Sequence, residues 1–450
     1  MLDVAREPWM AIAVFMTAFL TLIAALLVFK RRYSPHPELP RKLLHAGSGL
    51  LTLSFPFLFT ELWPVLVLTG GSALTLAAIK FLRPLRTPLG GVVDGISRTT
   101  LGEIYFPIAV AIVFWLSRGK SPFLFGIPIL VLTVADATCA LVGMRYGQTR
   151  FVGANKSFEG SVAFIVVAFF CVHVPLLLWS DVGRVETLLI SITLALLVML
   201  LEGSAWRGLD NLFIPIGGFF LLQAALPLGP HELFRRFFVT LVLVVVILAS
   251  RRSTTMLDDS LLAGAFLCYV TWALAGWRWL VPPVIGYVGF SLYSQDAYDR
   301  GRRFHTVAAM LAVWAGAIVW LALSRMWREP AFVYPFTLVF AAHIAIFGLS
   351  RLAHRHAGRP LMPLAVQAVL QSWVMFFLPY IAVTGVTPQN IALAVLAGPA
   401  IALAVAAFVR AEPGIRDTPQ TLSRWARQAA SAAAGSALGW IAMTAFDSFV

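Results

Sequence analysis

Long apolar runs, separated by short polar and basic loops, follow one another along the chain from Trp9 onward. Each run is close to the roughly 20 residues that a helix needs to cross a hydrocarbon core. Inside the runs the apolar positions are continuous rather than alternating, which excludes a transmembrane β-barrel. The pattern predicts an all-α polytopic membrane protein with about sixteen transmembrane helices (14–16). Their cores fall at 9–29, 43–59, 62–80, 103–117, 122–143, 158–179, 185–202, 210–226, 234–250, 259–276, 278–293, 304–324, 331–350, 361–383, 389–409 and 425–446. Two of them are broken, by Pro215 and by Pro282-Pro283, and the last is Ala-rich.

Charge sets the orientation. The first run is too long for a signal-peptide core, and Lys30-Arg31-Arg32 follows it rather than precedes it. It is expected as a first span with its N-terminus outside. The odd-numbered connections then face the cytoplasm, and they carry most of the basic residues, as the positive-inside rule requires. They include Lys30 to Lys42, Lys80 to Arg98, Arg145 to Lys156, Arg351 to Arg359 and Arg410 to Arg427. Arg118-Gly119-Lys120 and Arg325 to Arg328 are the exceptions.

Composition agrees with a membrane protein. The chain is 60% hydrophobic and 12% charged, where a soluble domain carries about a quarter charged residues. The net charge of +13 does not indicate nucleic acid as a partner, because the basic residues sit in short loops between apolar runs. There they act as topology signals and attract anionic lipid. Cys139, Cys171 and Cys268 all lie inside apolar runs and offer neither a disulfide framework nor zinc spacing. Every lysine (Lys30, Lys42, Lys80, Lys120 and Lys156) precedes residue 227. The expected division is therefore a membrane domain over 1–226, a boundary helix and loop over 227–257, and a C-terminal transmembrane bundle over 258–450.

Candidate chemistry lies at the cytoplasmic side of the first half. Asp136 stands deep in an apolar run, and an ionisable residue there is costly and usually functional. Its neighbours at helical spacing, Thr133, Cys139, Ala140 and Gly143, form a small-residue face. The structural alternative is a hydrogen-bonded carboxylate that joins helices. The functional reading is a Mg²⁺ ligand, since Mg²⁺ is commonly held by one or two carboxylates plus substrate phosphates. A glycine-punctuated basic loop follows, through Gly143, Arg145, Gly147 and Arg150. Asn155, Lys156, Ser157 and Glu159 then open the next run. Free backbone N–H groups at such a helix start receive phosphate, and Lys156 would neutralise charge as a phosphoryl group moves. Glu159 would be a second carboxylate near the metal.

Three further clusters share that side. Arg41, Lys42 and His45 fall on one helix face and suit a cationic grip on phosphate. Asp94 and Glu103 bracket a glycine-rich loop, and Glu103 also favours the dipole of the helix it begins. Glu202, Gly208, Asp210 and Asn211 precede the Pro215 break, where ligand or metal contact competes with a purely structural loop. No GxxxxGK[ST] loop or GxGxxG fingerprint is present.

The ordered segments RKLLHAG, SRTTLGEIYFP, ADATCALVGMRYG, NKSFEGS and GLDNLFIP, over roughly residues 40–220, resemble the phytol kinase and dolichol kinase family. They are more distantly similar to phosphatidate cytidylyltransferases. Ala135 stands where that family often has glycine, and Cys139 where it often has a smaller residue. Neither departure removes a charged group. The resemblance implies a kinase that uses CTP, with Mg²⁺, to phosphorylate a membrane lipid alcohol such as phytol, a polyprenol or diacylglycerol. It implies catalytic roles for Asp136, Lys156, Glu159 and His45. It further implies nucleotide contacts from Arg41, Lys42, Gly143, Arg145, Gly147, Asn155 and Ser157, and metal contacts from Asp136, Glu159, Glu103, Asp210 and Asn211. A carboxylate among Asp136, Glu103 and Asp210, or His45, would take the hydroxyl proton.

Two rival readings stand beside this one. A cytidylyltransferase would use the same groups to make a CDP-lipid. A transporter would also carry many spans and intramembrane polar residues, although here those residues gather at one face rather than at the midplane. The second half resembles no kinase core and leaves a lipid-access bundle, a homodimer surface or a second activity open. The Arg- and Ala-rich composition suits a bacterial inner membrane with the site at its cytoplasmic face.

Overall fold

The computed structural model describes residues 7–81, 101–151, 156–251, 254–293, 304–412, 414–416 and 421–447. Asp94, Asn155 and the polar segment 294–303 lie outside the described residues.

The described chain is helical, and each of the sixteen apolar segments falls on a helix or on a broken pair of helices. In chain order these are α1 (Pro8–Tyr33), α2 (Glu38–Thr52), α3 (Phe55–Leu58), α4 (Leu62–Phe81), α5 (Gly102–Ser117), α6 (Phe123–Tyr146), α7 (Phe158–Trp179), α8 (Arg184–Ser204) and α9 (Asp210–Ala225). They continue with α10 (Pro230–Ser250), α11 (Asp258–Ala275), α12 (Val281–Tyr293), α13 (Val307–Trp327), α14 (Val333–Arg355), α15 (Leu361–Thr384), α16 (Pro388–Ala411) and α17 (Leu422–Asp447). Among the described residues nine helices are long and apolar enough to cross a membrane, and α4, α5 and α9 contain shorter apolar stretches. The chain is an all-α integral membrane protein.

Two compact units divide it, Met1–Val242 and Leu243–Val450, with the boundary inside α10. In the first unit the aromatic side chains of Phe55, Phe114 and Phe125 interlock, with Phe114 and Phe125 meeting edge to face at 5.7 Å. α8 is apolar on nearly every face and packs on both α7 and α9. In the second unit α14 is buried along almost its whole length, with α13, α15, α16 and α17 around it.

Two local features position the candidate site. α6 is not uniform: Pro128 lies in its first half, and Val131–Ala135 widens to a π-helical turn before α-helical winding resumes at Asp136. Such turns occur frequently at functional sites, because they re-aim the side chain that follows. α2 crosses this turn very closely. A Cβ on Gly49 would stand 2.1 Å from Thr133 Oγ1, so only glycine permits the approach.

Candidate functional site

The close crossing at Gly49 carries the cationic residues of α2 to the carboxylate of α6. Lys42 Nζ donates to Asp136 Oδ2 at 2.6 Å, and both side chains are more than nine-tenths buried. His45, one turn along α2, places its Nε2 3.7 Å from the same oxygen. That nitrogen is buried and has no hydrogen-bond partner, while the ring rests edge-on against Phe106 at 5.0 Å.

A second lysine–carboxylate group stands beside the first. Phe151 N–H donates to the Lys156 carbonyl at 2.9 Å, and Phe158 N–H donates to the Thr149 carbonyl at 2.8 Å. This short antiparallel tongue presents Lys156 just before α7. The Ser157 side chain caps α7 by accepting from Gly160 N–H at 3.1 Å. Lys156 Nζ lies 2.8 Å from Glu202 Oε1 and 3.7 Å from Asp210 Oδ2, and it also donates to the Glu202 backbone carbonyl. Burial opposes the charge of Lys156, but the Glu202 and Asp210 carboxylates outweigh that penalty and hold its ammonium above the ordinary lysine value. The two groups are near enough for the Lys156 charge to act on Asp136.

A third group lies at the start of α5. Arg41 bridges Glu38, at 2.7 Å, and Glu103, at 3.5 Å, and Lys80 Nζ is 3.7 Å from the other Glu103 oxygen. Gly102 and Gly208 allow this segment to meet the loop before α9. A Cβ on Gly208, whose φ is +86°, would fall 2.5 Å from Gly102 N. The contact brings Asn211 against Gly102 and holds Asp210 on the side of Lys156.

Arg41, Lys42, His45, Glu103, Asp136, Lys156, Asp210 and Asn211 thus converge from segments up to 170 positions apart in sequence. Others expected at the site have different positions. Glu159 turns to its own tongue, where Oε1 accepts from Thr149 N–H at 3.0 Å. Gly143 and Gly147 lie against Ser157, which a Cβ on them would approach to 3.0 and 2.8 Å. Arg145 is exposed, with its guanidinium over the Tyr146 ring. Glu202 was expected only as part of a neighbouring cluster, yet it is the principal partner of Lys156. Its signal in the sequence is a weaker form of the one Asp136 gives, a carboxylate at the end of a long apolar run rather than inside one.

The donor set fits one kind of metal binding. Among the described residues no three His, Cys, Asp or Glu side chains converge into a ready-made cage. Glu202 Oε2 and Asn211 Oδ1 are nevertheless buried acceptors without partners, and Glu202 shares Lys156 with Asp210. Oxygen donors in that number suit Mg²⁺, which keeps substrate phosphates among its own ligands.

A helical membrane bundle in which two lysines pair with carboxylates at one place defines the class, an integral membrane protein with a charged cluster among its helices. Comparison with known proteins narrows the class. The chain is 28% identical over 213 residues to the phytol kinase of Synechocystis sp., covering 46% of this chain and 88% of that protein. It is 31% identical over 130 residues to a dolichol kinase of Schizosaccharomyces pombe, covering 28% of this chain and 25% of that one. It is 25% identical over 221 residues to the dolichol kinase of Saccharomyces cerevisiae, covering 41% and 42%. The chain is a relative of the phytol and dolichol kinases. No family model and no solved structure matches it.

Proposed function

We propose that the chain is a lipid-alcohol kinase that transfers the γ-phosphoryl group of CTP to a phytol-, polyprenol- or diacylglycerol-class alcohol. The observation that carries the reading is the pair of lysines, Lys42 buried and Lys156 partly buried, each held by a carboxylate beside one site. Burying such pairs is expensive, and their concentration at one place is accounted for by a ligand of high negative charge. The three named relatives are kinases of lipid alcohols, which supports the same chemistry here.

In this reading the acceptor oxygen attacks the γ-phosphorus in line and CDP leaves. Lys156 stays protonated throughout and neutralises charge on the moving phosphoryl group. His45 Nε2, buried and unpartnered, takes the hydroxyl proton. Asp136 holds Lys42 toward the phosphates, and its carboxylate, 3.7 Å from the same Nε2, stabilises the imidazolium that forms. Mg²⁺, held by Asp136, Asp210 and the unpaired oxygens of Glu202 and Asn211, would supply charge neutralisation at the phosphates. Arg41, at the rim, would meet the nucleotide from its exposed side. The site would face the cytoplasm of a bacterial inner membrane, where nucleotide is available.

The test uses purified protein in lipid nanodiscs with CTP labelled at the α or the γ position. Phytol, a polyprenol and diacylglycerol are offered separately, with phosphatidic acid alongside. Transfer of γ-label alone to an alcohol is the expected result. Transfer of α-label to phosphatidic acid would identify a cytidylyltransferase instead. Transfer from ATP as efficient as from CTP would remove the nucleotide assignment.

A further inference from the structure

The second unit carries a buried polar cluster that the proposed kinase chemistry does not use. Arg424, at the start of α17, is 1% exposed, and His305, just before α13, is 3% exposed. Arg351, near the end of α14, is 5% exposed. Their surroundings are aromatic. The Arg424 guanidinium lies over Phe408 at 5.4 Å and that of Arg351 over Phe347 at 5.1 Å. The His305 ring meets Phe290, Trp425 and Phe347 edge-on, at 4.8, 5.8 and 6.2 Å. Arg351 and His305 share the Phe347 ring, Arg424 bonds Ser350 next to Arg351, and His305 meets Trp425 next to Arg424, so the three groups lie together.

Two of the three groups have unused hydrogen-bonding capacity. Arg424 donates through one terminal nitrogen to Ser350 Oγ at 2.8 Å, while its Nε is buried without a partner. His305 is fixed by Thr255 Oγ1, 3.1 Å from Nδ1, and its carbonyl accepts from Leu257 N–H and Ser260 Oγ; Nε2 is buried and unpartnered. Among the described residues no carboxylate lies within salt-bridge distance of Arg424. The nearest acid it senses, Glu412, is engaged by Arg427 at 2.5–2.9 Å. A guanidinium enclosed by aromatic rings and lacking a hydrogen-bonded anion is costly, because the desolvation penalty is offset only by close opposite charge.

We propose that this cluster is a second anion site, separate from the one around Asp136 and Lys156, and that it takes a phosphate monoester. Unpaired donors from the starts of two helices, beside the Arg351 charge, suit a tetrahedral group of double negative charge better than a planar, singly charged carboxylate. The aromatic walls suit an attached hydrocarbon chain. A phosphate on a lipid and free phosphate share this headgroup chemistry, and the experiment separates them. The inference does not depend on the kinase reading.

The full chain in phosphatidylcholine nanodiscs is titrated with dodecyl phosphate, dodecanoate or inorganic phosphate, following thermal stabilisation. Saturable stabilisation by dodecyl phosphate is expected. Its half-saturation point should rise at least tenfold in both Arg424→Gln and His305→Ala, and by less than twofold in Lys156→Ala. His305→Ala carries the test if Arg424→Gln does not fold. Stronger binding of dodecyl phosphate than of inorganic phosphate assigns a lipid source, and equal binding assigns a soluble one. Equal binding of dodecanoate overturns the proposal. So does loss in Lys156→Ala with both second-unit variants unaffected, or no stabilisation by either phosphate.

Discussion

Lys42 and Asp136, 94 residues apart in sequence, meet at 2.6 Å in the interior of the first unit. The contact exists because Gly49 lets α2 lie directly on the π-helical turn of α6. Neither residue is tolerable there without the other. The pair is therefore both a structural tie and the centre of the proposed phosphate site.

Breaking this pair from one side should be worse than removing it. Lys42→Met or Asp136→Asn alone leaves a buried, uncompensated group, expected to cost about 3–5 kcal/mol. The double variant should regain most of that stability and none of the phosphoryl transfer. Thermal unfolding in nanodiscs reads the first quantity and γ-label transfer the second. A double variant as unstable as the sum of the singles would remove the coupling.

Lys156 should set a pH limit that Glu202 controls. Its raised value means that its contribution to stability and to transfer is fully present below the ordinary lysine value of 10.5 and is lost only as pH rises through the raised value. Wild-type activity should therefore show no lysine limb below about pH 10. In Glu202→Gln the main opposing charge is gone while burial remains, so an alkaline limb should move down into the measurable range. A pH–rate profile of Glu202→Gln that superimposes on wild type would refute this control.

The crossing at Gly49 predicts a specific non-additivity. Gly49→Ala places a methyl group against Thr133 and should cost about 1–3 kcal/mol, with a loss of activity because Lys42 retreats from Asp136. Thr133→Ala removes the atoms nearest that methyl, at 2.1 and 2.7 Å, and should recover part of both losses. A double-mutant cycle on unfolding and on transfer measures the coupling, expected at 0.5 kcal/mol or more. Strict additivity would show that the contact does not position Lys42.

What was legible in the sequence was what depends on local pattern. The apolar runs are continuous and long, so each becomes helix whatever it packs against, and all sixteen did. Asp136 was legible because a carboxylate inside such a run has few structural explanations. Which cation would answer it was not legible, because Lys42 reaches it through a helix crossing that no single segment encodes. Glu202 and Glu159 were exchanged for the same reason. Glu159 is three positions from Lys156 in sequence but bonds its own tongue, while Glu202 arrives from α8, which packs on α7. Arg424 read as an ordinary flanking charge at the start of a span, and the structure encloses it. Only tertiary packing distinguishes a flanking arginine from a buried one.

A last prediction concerns Arg416, another arginine that sequence reading would treat as loop charge. Its guanidinium spans the C-terminal end of α14, donating to the carbonyls of Ala353, Ala357 and Arg359 at 3.1, 2.6 and 2.9 Å. The Arg416 carbonyl is in turn 2.9 Å from His354 Nδ1. The last carbonyls of a helix have no partner within it, and one planar fork here joins a carbonyl of the last helical turn to two of the turn that follows. Arg416→Ala should speed amide hydrogen exchange in the 353–359 segment at least tenfold while leaving exchange in the middle of α14 unchanged. Arg416→Lys should recover only part of the protection, because an ammonium cannot reach three carbonyls in that geometry. Equal protection in Lys and Arg forms would mean that charge near the helix end, rather than the fork, holds this terminus.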